Sequence, residues 1–169
     1  MQQYAIVFFP KIPQEAIQQL REKYDPDFLI IPPHMTLLYP IQTTTEKQLI
    51  QKVKMVIDQF HAFPILLAGI AKTHDNCLFL LIKENEHIIK DIHKKFSSYI
   101  TPNIPDMQSF TPHITLGCFQ KNTQNFYVSS AYNEARQLSI TLPCLFDSVT
   151  IIKGDGKHAA EKVATITLQ

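Results

Sequence analysis

The segment Pro33-His34-Met35-Thr36-Leu37 occurs again, about half a chain length later, as Pro112-His113-Ile114-Thr115-Leu116. Each copy lies in a run of residues that favours a β-strand. Because successive strand side chains point to opposite faces, each copy should carry its histidine and threonine on one face and its apolar residues on the other. Proline is tolerated at the first residue of a strand, so it marks where each motif strand begins. The sequence therefore predicts two equivalent strands with an open imidazole and hydroxyl face.

Hydrophobic periodicity predicts the remaining elements of the chain. Strands are expected over residues 4–9, 34–38, 65–72, 77–83, 113–119, 140–146, 148–153 and 163–168. Helices are expected over residues 13–24, from a capping box at Thr43 and Glu46 to near residue 60, over 84–99 and over 122–137, and a proline-bearing loop over 101–109. This order predicts a single two-lobed α+β domain over residues 1–169, each lobe a small sheet backed by helices.

Composition limits the classes of function. The 169 residues are 45% hydrophobic and 18% charged, which is typical of a globular protein with a real core. A net charge of only +1 argues against a long nucleic acid tract as partner. No window approaches the roughly 20 apolar residues of a membrane span, and residues 1–13 lack the pattern of a signal peptide. We expect no membrane association, and a monomer or weak dimer.

The three cysteines, Cys77, Cys118 and Cys144, are far apart and include no CxxC pair. Their number and spacing indicate neither a disulfide framework nor a zinc site, and they fit a reducing cytoplasm. We therefore predict a cytoplasmic protein.

Two such strands facing one another across a cleft would bring His34 and His113 together. Histidine titrates near neutrality, so one ring could act as base and the other as acid, each contributing about 10²–10⁴ in rate. Two close imidazoles resist both being charged, which favours the mixed protonation state. Thr36 and Thr115 could hold the non-bridging oxygens of a phosphate. This chemistry requires neither a metal nor a cofactor.

Other residues near the motifs are weaker candidates. Tyr39, Phe110 and Phe119 could stack a base at the rim of the cleft or could equally pack against the core. The lysines that could attract a phosphate, although each is also consistent with an ordinary surface position, are Lys72, Lys121 and Lys153. The histidines expected to be ordinary surface residues are His61, His74, His87, His93 and His158.

The two motifs, read as histidine, apolar residue, threonine and apolar residue, resemble those of the 2H phosphoesterase superfamily, which includes 2′–5′ RNA ligase-like proteins. The opening residues 4–10, the approach Ile31-Pro32-Pro33-His34 and Gly117 are most similar to the small bacterial YjcG-like branch. The resemblance implies a bilobal fold with two antiparallel sheets, pseudo-twofold symmetry and a central cleft.

The resemblance also implies metal-independent cleavage of a phosphodiester, often a 2′,3′-cyclic phosphate or a 2′–5′ linkage. His34 and His113 would be its acid/base pair, and Thr36 and Thr115 would bind the phosphate. Many RNA-end-processing members have a basic residue soon after the second motif, where this sequence has Gly117-Cys118-Phe119. The resemblance therefore leaves the substrate open among small nucleotides and RNA ends.

Two alternatives remain at this point. The cleft could bind a nucleotide or RNA end without turning it over, or the strands could belong to a structural or partner-binding protein. The structural interpretation would be favoured if both histidines were buried, hydrogen-bonded to the main chain and far from each other.

Overall fold

The computed structural model describes residues 3–41, 45–102, 110–120 and 123–169. Within these residues the chain forms eight strands and four helices. In chain order they are β1 (Gln3–Phe8), α1 (Glu15–Tyr24), β2 (Met35–Ile41), α2 (Glu46–Ile57), β3 (Phe63–Lys72), β4 (Cys77–Ile82), α3 (Glu86–Ile100), β5 (His113–Cys118), α4 (Asn125–Gln137), β6 (Thr141–Phe146), β7 (Ser148–Gly154) and β8 (Glu161–Thr167). The fold class is α+β, as predicted.

The boundaries differ from the sequence-based ones at several helix and strand ends. The first motif strand, predicted over residues 34–38, is Met35–Ile41, so His34 immediately precedes it. Helix α2 ends at Ile57, and α4 begins at Asn125 rather than at residue 122. The N-cap of α2 is Thr45, whose hydroxyl accepts a hydrogen bond from the Gln48 amide at 3.3 Å. The predicted cap at Thr43 lies outside the described residues, as does most of the predicted loop over 101–109.

The described strands form two antiparallel sheets of four strands each. One has the order β2-β1-β7-β8 and the other the order β5-β4-β3-β6. Each sheet therefore has a motif strand, β2 or β5, at one edge. The two motif strands face each other, and Cα atoms of β2 and β5 approach within 8 Å.

The chain repeats one unit around each motif strand. The order β1-α1-β2-α2 is repeated as β4-α3-β5-α4, and in both units the first strand pairs with the motif strand in antiparallel fashion. The remaining two strands of each sheet lie outside these units. Strands β7 and β8, from the C-terminal end of the chain, complete the first sheet, and β3 and β6 complete the second. This repeat gives the pseudo-twofold, two-lobed architecture that the motifs predicted.

The core lies between the two sheets and the helices. Met35, Leu37, Ile114 and Leu116, the apolar residues of both motifs, are at most 1% exposed. The helices cross between lobes, because α1 packs against β5 and α3 packs against β2. The buried face of each motif strand is thus covered by the helix of the other repeat unit.

Gly117 allows α1 to approach β5 closely. A Cβ atom at this position would lie 2.6 Å from the Tyr24 Cβ and 2.9 Å from the Tyr24 carbonyl oxygen. Tyr24 has little freedom to give way, because its hydroxyl donates a hydrogen bond to Glu134 at 2.6 Å. The residue after the second motif is therefore determined by helix packing.

The structure corrects the prediction about the cysteines. Cys77 and Cys118 form a disulfide, with Cα atoms 4.2 Å apart, and Cys144 is free and buried. The two residues are direct partners in the antiparallel register of β4 and β5. Their separation of 41 residues hides this proximity, since only the pairing of the strands brings them together. No helix in the described part of the chain is both long and apolar enough to span a membrane.

Candidate active site between the motif strands

Both motif histidines are held in the same way. The ring Nδ1 of His34 lies 2.9 Å from the Pro32 carbonyl oxygen, and that of His113 lies 2.6 Å from the Thr111 carbonyl oxygen. A carbonyl oxygen only accepts hydrogen bonds, so Nδ1 carries the proton in each contact. The bond to the residue two positions earlier therefore fixes the tautomer and leaves Nε2 to take up or release a proton.

The motif strands alternate in burial as predicted. His34, Thr36, His113 and Thr115 are partly exposed, whereas the apolar residues between them are buried. Burial is the main cause that lowers the pKa of both imidazoles below 6.5. The carbonyl hydrogen bonds oppose this shift, because they stabilise the charged ring.

The charges near the two rings differ. The Arg21 guanidinium lowers the pKa of His34 further, and Asp25 and Asp27 partly offset it. Beside His113 the Asp75 carboxylate raises the imidazole pKa against the effect of burial. The two rings therefore have the same hydrogen-bond geometry but unequal electrostatic surroundings.

A cavity of about 380 Å³ opens beside the motif strands. His34, which immediately precedes β2, Thr36 from β2 and Thr115 from β5 line it. The ring of His113 is not among the lining residues, although His113 shares a strand face with Thr115. The structure thus brings three of the four predicted residues to one cavity and places the fourth two residues along the same strand.

An aromatic ring covers His113. Phe79 of β4 stacks on its imidazole, with ring centroids 3.5 Å apart and planes inclined by 15°. The nearest equivalent at His34 is Phe9, whose ring is tilted and 6.2 Å away. The sequence analysis missed Phe79, which only the register of β4 and β5 places beside the second motif.

The three aromatic candidates for the rim occupy different surroundings. Tyr39 lines the cavity, is 59% exposed, and its hydroxyl donates a hydrogen bond to Gln3 at 2.6 Å. Phe110 is partly buried and stacks on His93 with centroids 3.9 Å apart, and Phe119 packs against Tyr24. Of the three, Tyr39 is the ring that borders the cavity.

His93 is not the ordinary surface residue that the sequence predicted. It is partly buried on α3, and its Nδ1 lies 2.7 Å from the Leu37 carbonyl oxygen of β2. The prediction was wrong because α3 packs against the motif strand of the other repeat unit, a contact that helical periodicity alone cannot reveal.

The structure describes two of the three lysines that could attract a phosphate, Lys72 and Lys153. Lys153 forms ion pairs with Glu46 at 3.2 Å and Glu161 at 3.3 Å. Lys72 is exposed at the end of β3, and Lys121 lies outside the described residues. Lys153 is therefore already neutralised by neighbouring carboxylates.

A buried arginine that the sequence analysis missed supports the wall next to His34. Arg21 is 1% exposed, and its Nε donates to Asp25 at 2.6 Å while Nη2 donates to the Ile31 carbonyl at 2.8 Å. The segment 25–31 that it ties together lines the cavity and leads directly to Pro32 and His34. The signal in the sequence was an arginine four residues before an aspartate on the apolar side of a helix.

A further part of the cavity lining comes from the β7–β8 hairpin. The hairpin residues that line the cavity are Gly154, Asp155, Gly156, His158 and Ala160. Among the described residues, no group of three or more His, Cys, Asp or Glu side chains is arranged to hold a metal ion.

The chain is similar to a known protein family and to curated proteins. A family model described as the 2′-5′ RNA ligase superfamily matches residues 9–158. A protein of Geobacillus thermodenitrificans named "Putative phosphoesterase" is 29% identical over 119 residues, which cover 68% of each chain. A similarly named protein of Halalkalibacterium halodurans is 27% identical, again over 68% of each chain.

Solved structures share the fold at low sequence identity. Escherichia coli LigT complexed with 3′-AMP has a TM-score of 0.61 at 13% identity, over 99% of this chain and 98% of LigT. TT0787 of Thermus thermophilus has a TM-score of 0.62 at 14% identity, over 98% of this chain and 97% of that protein.

Proposed function

The chain belongs to the 2′-5′ RNA ligase superfamily, and from this premise we propose that it is a metal-independent phosphoesterase. Its substrate would be a nucleotide-like or RNA-terminal phosphodiester, either a 2′,3′-cyclic phosphate or a 2′–5′ linkage. The observation that carries the proposal is the matched pair of imidazoles, each with Nδ1 bound to the carbonyl two residues earlier and Nε2 left for proton transfer. The names of the relatives as phosphoesterases support the same class of reaction.

The proposed reaction assigns a role to each of the four motif residues. Thr36 and Thr115 would donate hydrogen bonds to the non-bridging phosphate oxygens. One neutral histidine would take a proton from water as the water oxygen bonds to phosphorus. The other, protonated histidine would give its proton to the leaving sugar oxygen as the phosphorus–oxygen bond breaks, so a 2′,3′-cyclic phosphate would open to a 2′-phosphate.

The lowered pKa values fit this division of labour. At neutral pH both rings are mainly neutral in the free protein, because burial lowers the pKa of each. An anionic phosphodiester bound between Thr36 and Thr115 would raise the pKa of both rings. Substrate binding would therefore favour uptake from solvent of the proton that the general acid needs.

The size of the cavity supports a small nucleotide as substrate. LigT, which has the same fold, is known in complexes with 3′-AMP, ATP, NADP+ and phosphate. The volume of about 380 Å³ falls in the range of sites for small organic ligands.

One observation favours a second candidate, a nucleotide- or RNA-end-binding module without turnover. His113 does not line the cavity and lies under Phe79. If this arrangement persisted in the complex, Thr36 and Thr115 would hold the phosphate while only one imidazole reached it.

The decisive experiment is a product assay in the presence of EDTA. The panel would contain the four nucleoside 2′,3′-cyclic phosphates and a set of 2′–5′ and 3′–5′ dinucleotides, with products identified by chromatography. We expect turnover of at least one cyclic phosphate or 2′–5′ linkage in chelator, and none with the His34→Ala/His113→Ala double variant. Calorimetric binding of these compounds without product would establish the binding module, and turnover that survives in the double variant would refute the two-histidine mechanism.

A cytoplasmic location and a monomeric or weakly dimeric state remain part of the proposal. In a reducing cytoplasm Cys77 and Cys118 would exist as thiols, in contrast to the bond in this structure. Rapid alkylation of intact cells followed by mass spectrometry would tell the two states apart.

A further inference from the structure

The floor of the cavity is one face of the sheet that contains β2, β1 and β7. Val7, Ala5 and Gln3 alternate along β1 and all line the cavity. Across the sheet, Val7 pairs with Thr36, Ala5 with Ile152, and Gln3 with Gly154. The floor thus runs from the phosphate-binding threonine to the β7–β8 hairpin, about 13 Å for four residues of strand.

The floor is apolar between two polar ends. Ala5 and Ile152 form a small buried cluster with Val7 and Ile31, and Ala160 packs against it. The Ala160 amide also donates to the Ile30 carbonyl at 3.0 Å, which joins the hairpin to the wall formed by residues 25–31. This apolar part of the lining lies next to Thr36, although a phosphodiester itself needs no apolar contact.

Tyr39 and Gln3 form the first polar group at the far end. The Tyr39 hydroxyl donates to the Gln3 Oε1, so the Gln3 amide nitrogen keeps two donor protons. Tyr39 is 59% exposed and presents its ring at the cavity. This pair offers hydrogen-bond donors next to an aromatic surface.

Asp155 and His158 form the second polar group. The His158 Nδ1 lies 2.8 Å from Asp155 Oδ2, and the amides of Lys157 and His158 donate to Asp155 Oδ1 at 2.9 and 3.0 Å. These donors hold the pKa of the Asp155 carboxyl well below its usual range. The carboxylate therefore orients the His158 ring and leaves Nε2 to meet a ligand.

We propose that this far part of the cavity is a nucleobase subsite. The flat apolar face of a base would lie on the floor at Ala5 and Ile152, and its polar edge would meet the Gln3 amide and the His158 Nε2. The site follows the usual design of ligand pockets, an apolar surface with few placed polar groups. The inference rests on the proposed function, since it assumes that Thr36 and Thr115 bind the phosphate of the same ligand.

The test is equilibrium binding, measured by calorimetry with the full chain. The probes are the four nucleoside 2′-monophosphates and inorganic phosphate. We expect at least one nucleotide to bind at least about tenfold more tightly than phosphate. Gln3→Ala and His158→Ala should each reduce the ratio of nucleotide to phosphate affinity by up to about tenfold, the effect of one lost hydrogen bond.

Matched variants at exposed positions serve as controls. Gln51→Ala on α2 and His87→Ala on α3 make the same changes far from the cavity lining and should leave the affinity ratio unchanged. Circular dichroism of all four variants would verify that each is folded.

The outcomes separate this inference from the proposed function. Nucleotides that bind no more tightly than phosphate, or a ratio that neither Gln3→Ala nor His158→Ala changes, would refute the subsite even if the enzyme turns over cyclic phosphates. The expected ratio and its loss in these variants would support the subsite even if the product assay finds no turnover.

Discussion

In the open half, at β2, both His34 and Thr36 line the cavity, whereas in the covered half, on β5, Thr115 lines it and His113 does not. The Phe9 ring beside His34 is tilted, with centroids 6.2 Å apart, whereas the Phe79 ring stacks on His113 at 3.5 Å. The fifth residue after each histidine is Tyr39, exposed at the cavity, in one half and the disulfide-bonded Cys118 in the other.

The motif itself determines the orientation of each histidine and threonine, whereas neighbouring elements determine the environment of each ring. Both copies give the same alternation of burial and the same hydrogen bond from Nδ1 to a carbonyl. The residues of neighbouring strands and helices differ, and they decide which ring meets the cavity and which charges it meets. The repeated sequence thus builds two equivalent side-chain pairs in unequal environments.

The largest expected effect tests whether both halves take part in chemistry. His34→Ala and His113→Ala should each reduce kcat/KM by about 10²–10⁴, because the reaction needs both an acid and a base. The double variant should lose little more than either single one, since the two act as a unit. The assay is initial rates on the best cyclic phosphate, with His87→Ala as the exposed control. Loss of activity in the His34→Ala variant alone would show that only the open half is catalytic.

The next effect concerns the disulfide, which fastens only the covered half. Closing a loop across 41 residues stabilises the folded chain by about 4 kcal/mol on the chain-entropy model. Cys77→Ser, or dithiothreitol added to the unchanged protein, should lower the free energy of unfolding in urea by about this amount. The reductant should not affect the Cys77→Ser variant, which serves as the control. An unchanged midpoint for the reduced wild-type protein would contradict the prediction.

A smaller effect is expected at Gly117, whose counterpart in the open half is Leu38. Gly117→Ala should destabilise the protein by about 1–3 kcal/mol, because its new methyl group would displace the end of α1 at Tyr24. Gly154→Ala is the matched control, since its nearest atoms across the sheet are 3.9 Å away. Thermal unfolding of both variants measures the difference, and equal stability would show that α1 adjusts without cost.

The smallest expected effect is the pH dependence of activity and stability that the two motif histidines cause. Measuring the pKa of each ring compares the two halves directly. NMR titration should give a pKa below 6.5 for both His34 and His113, and kcat/KM should fall as the pH drops through these values because the base becomes protonated. The unfolded chain then binds protons more readily than the folded one, so the free energy of unfolding should decrease below about pH 6.5 and level off under the folded-state pKa values. A His34→Gln/His113→Gln variant should lose this part of the dependence. A pKa at or above 6.5 for either ring would contradict the burial argument.

The sequence predicts the elements and the more exposed face of each motif well, because both depend on local patterns. Period-two alternation around His34 and His113 was enough to assign the open faces, and helical periodicity located all four described helices. Strand order and register were not predictable in this way. The disulfide between Cys77 and Cys118, the Phe79 stack and the contact of His93 with β2 all depend on which elements become neighbours.

The residues that line the cavity were likewise predictable only where they are close in the sequence. Arg21 and Asp25 have the spacing of a helical ion pair, so their contact could have been found from the sequence. The hairpin with Asp155 and His158 could not, because it reaches the cavity only through the pairing of β7 with β1. Residues far apart in the chain therefore define the part of the site that would select among ligands.

The crossing of the helices has a consequence for the mechanics of the molecule. Since α1 lies behind β5 and α3 lies behind β2, pulling one lobe away would drag a helix out of the other. The spacing between the two motif strands is thus set by a shared interior and not by a flexible joint. We therefore expect that neither half folds as an autonomous fragment, and that the two motif strands keep their spacing when a ligand enters.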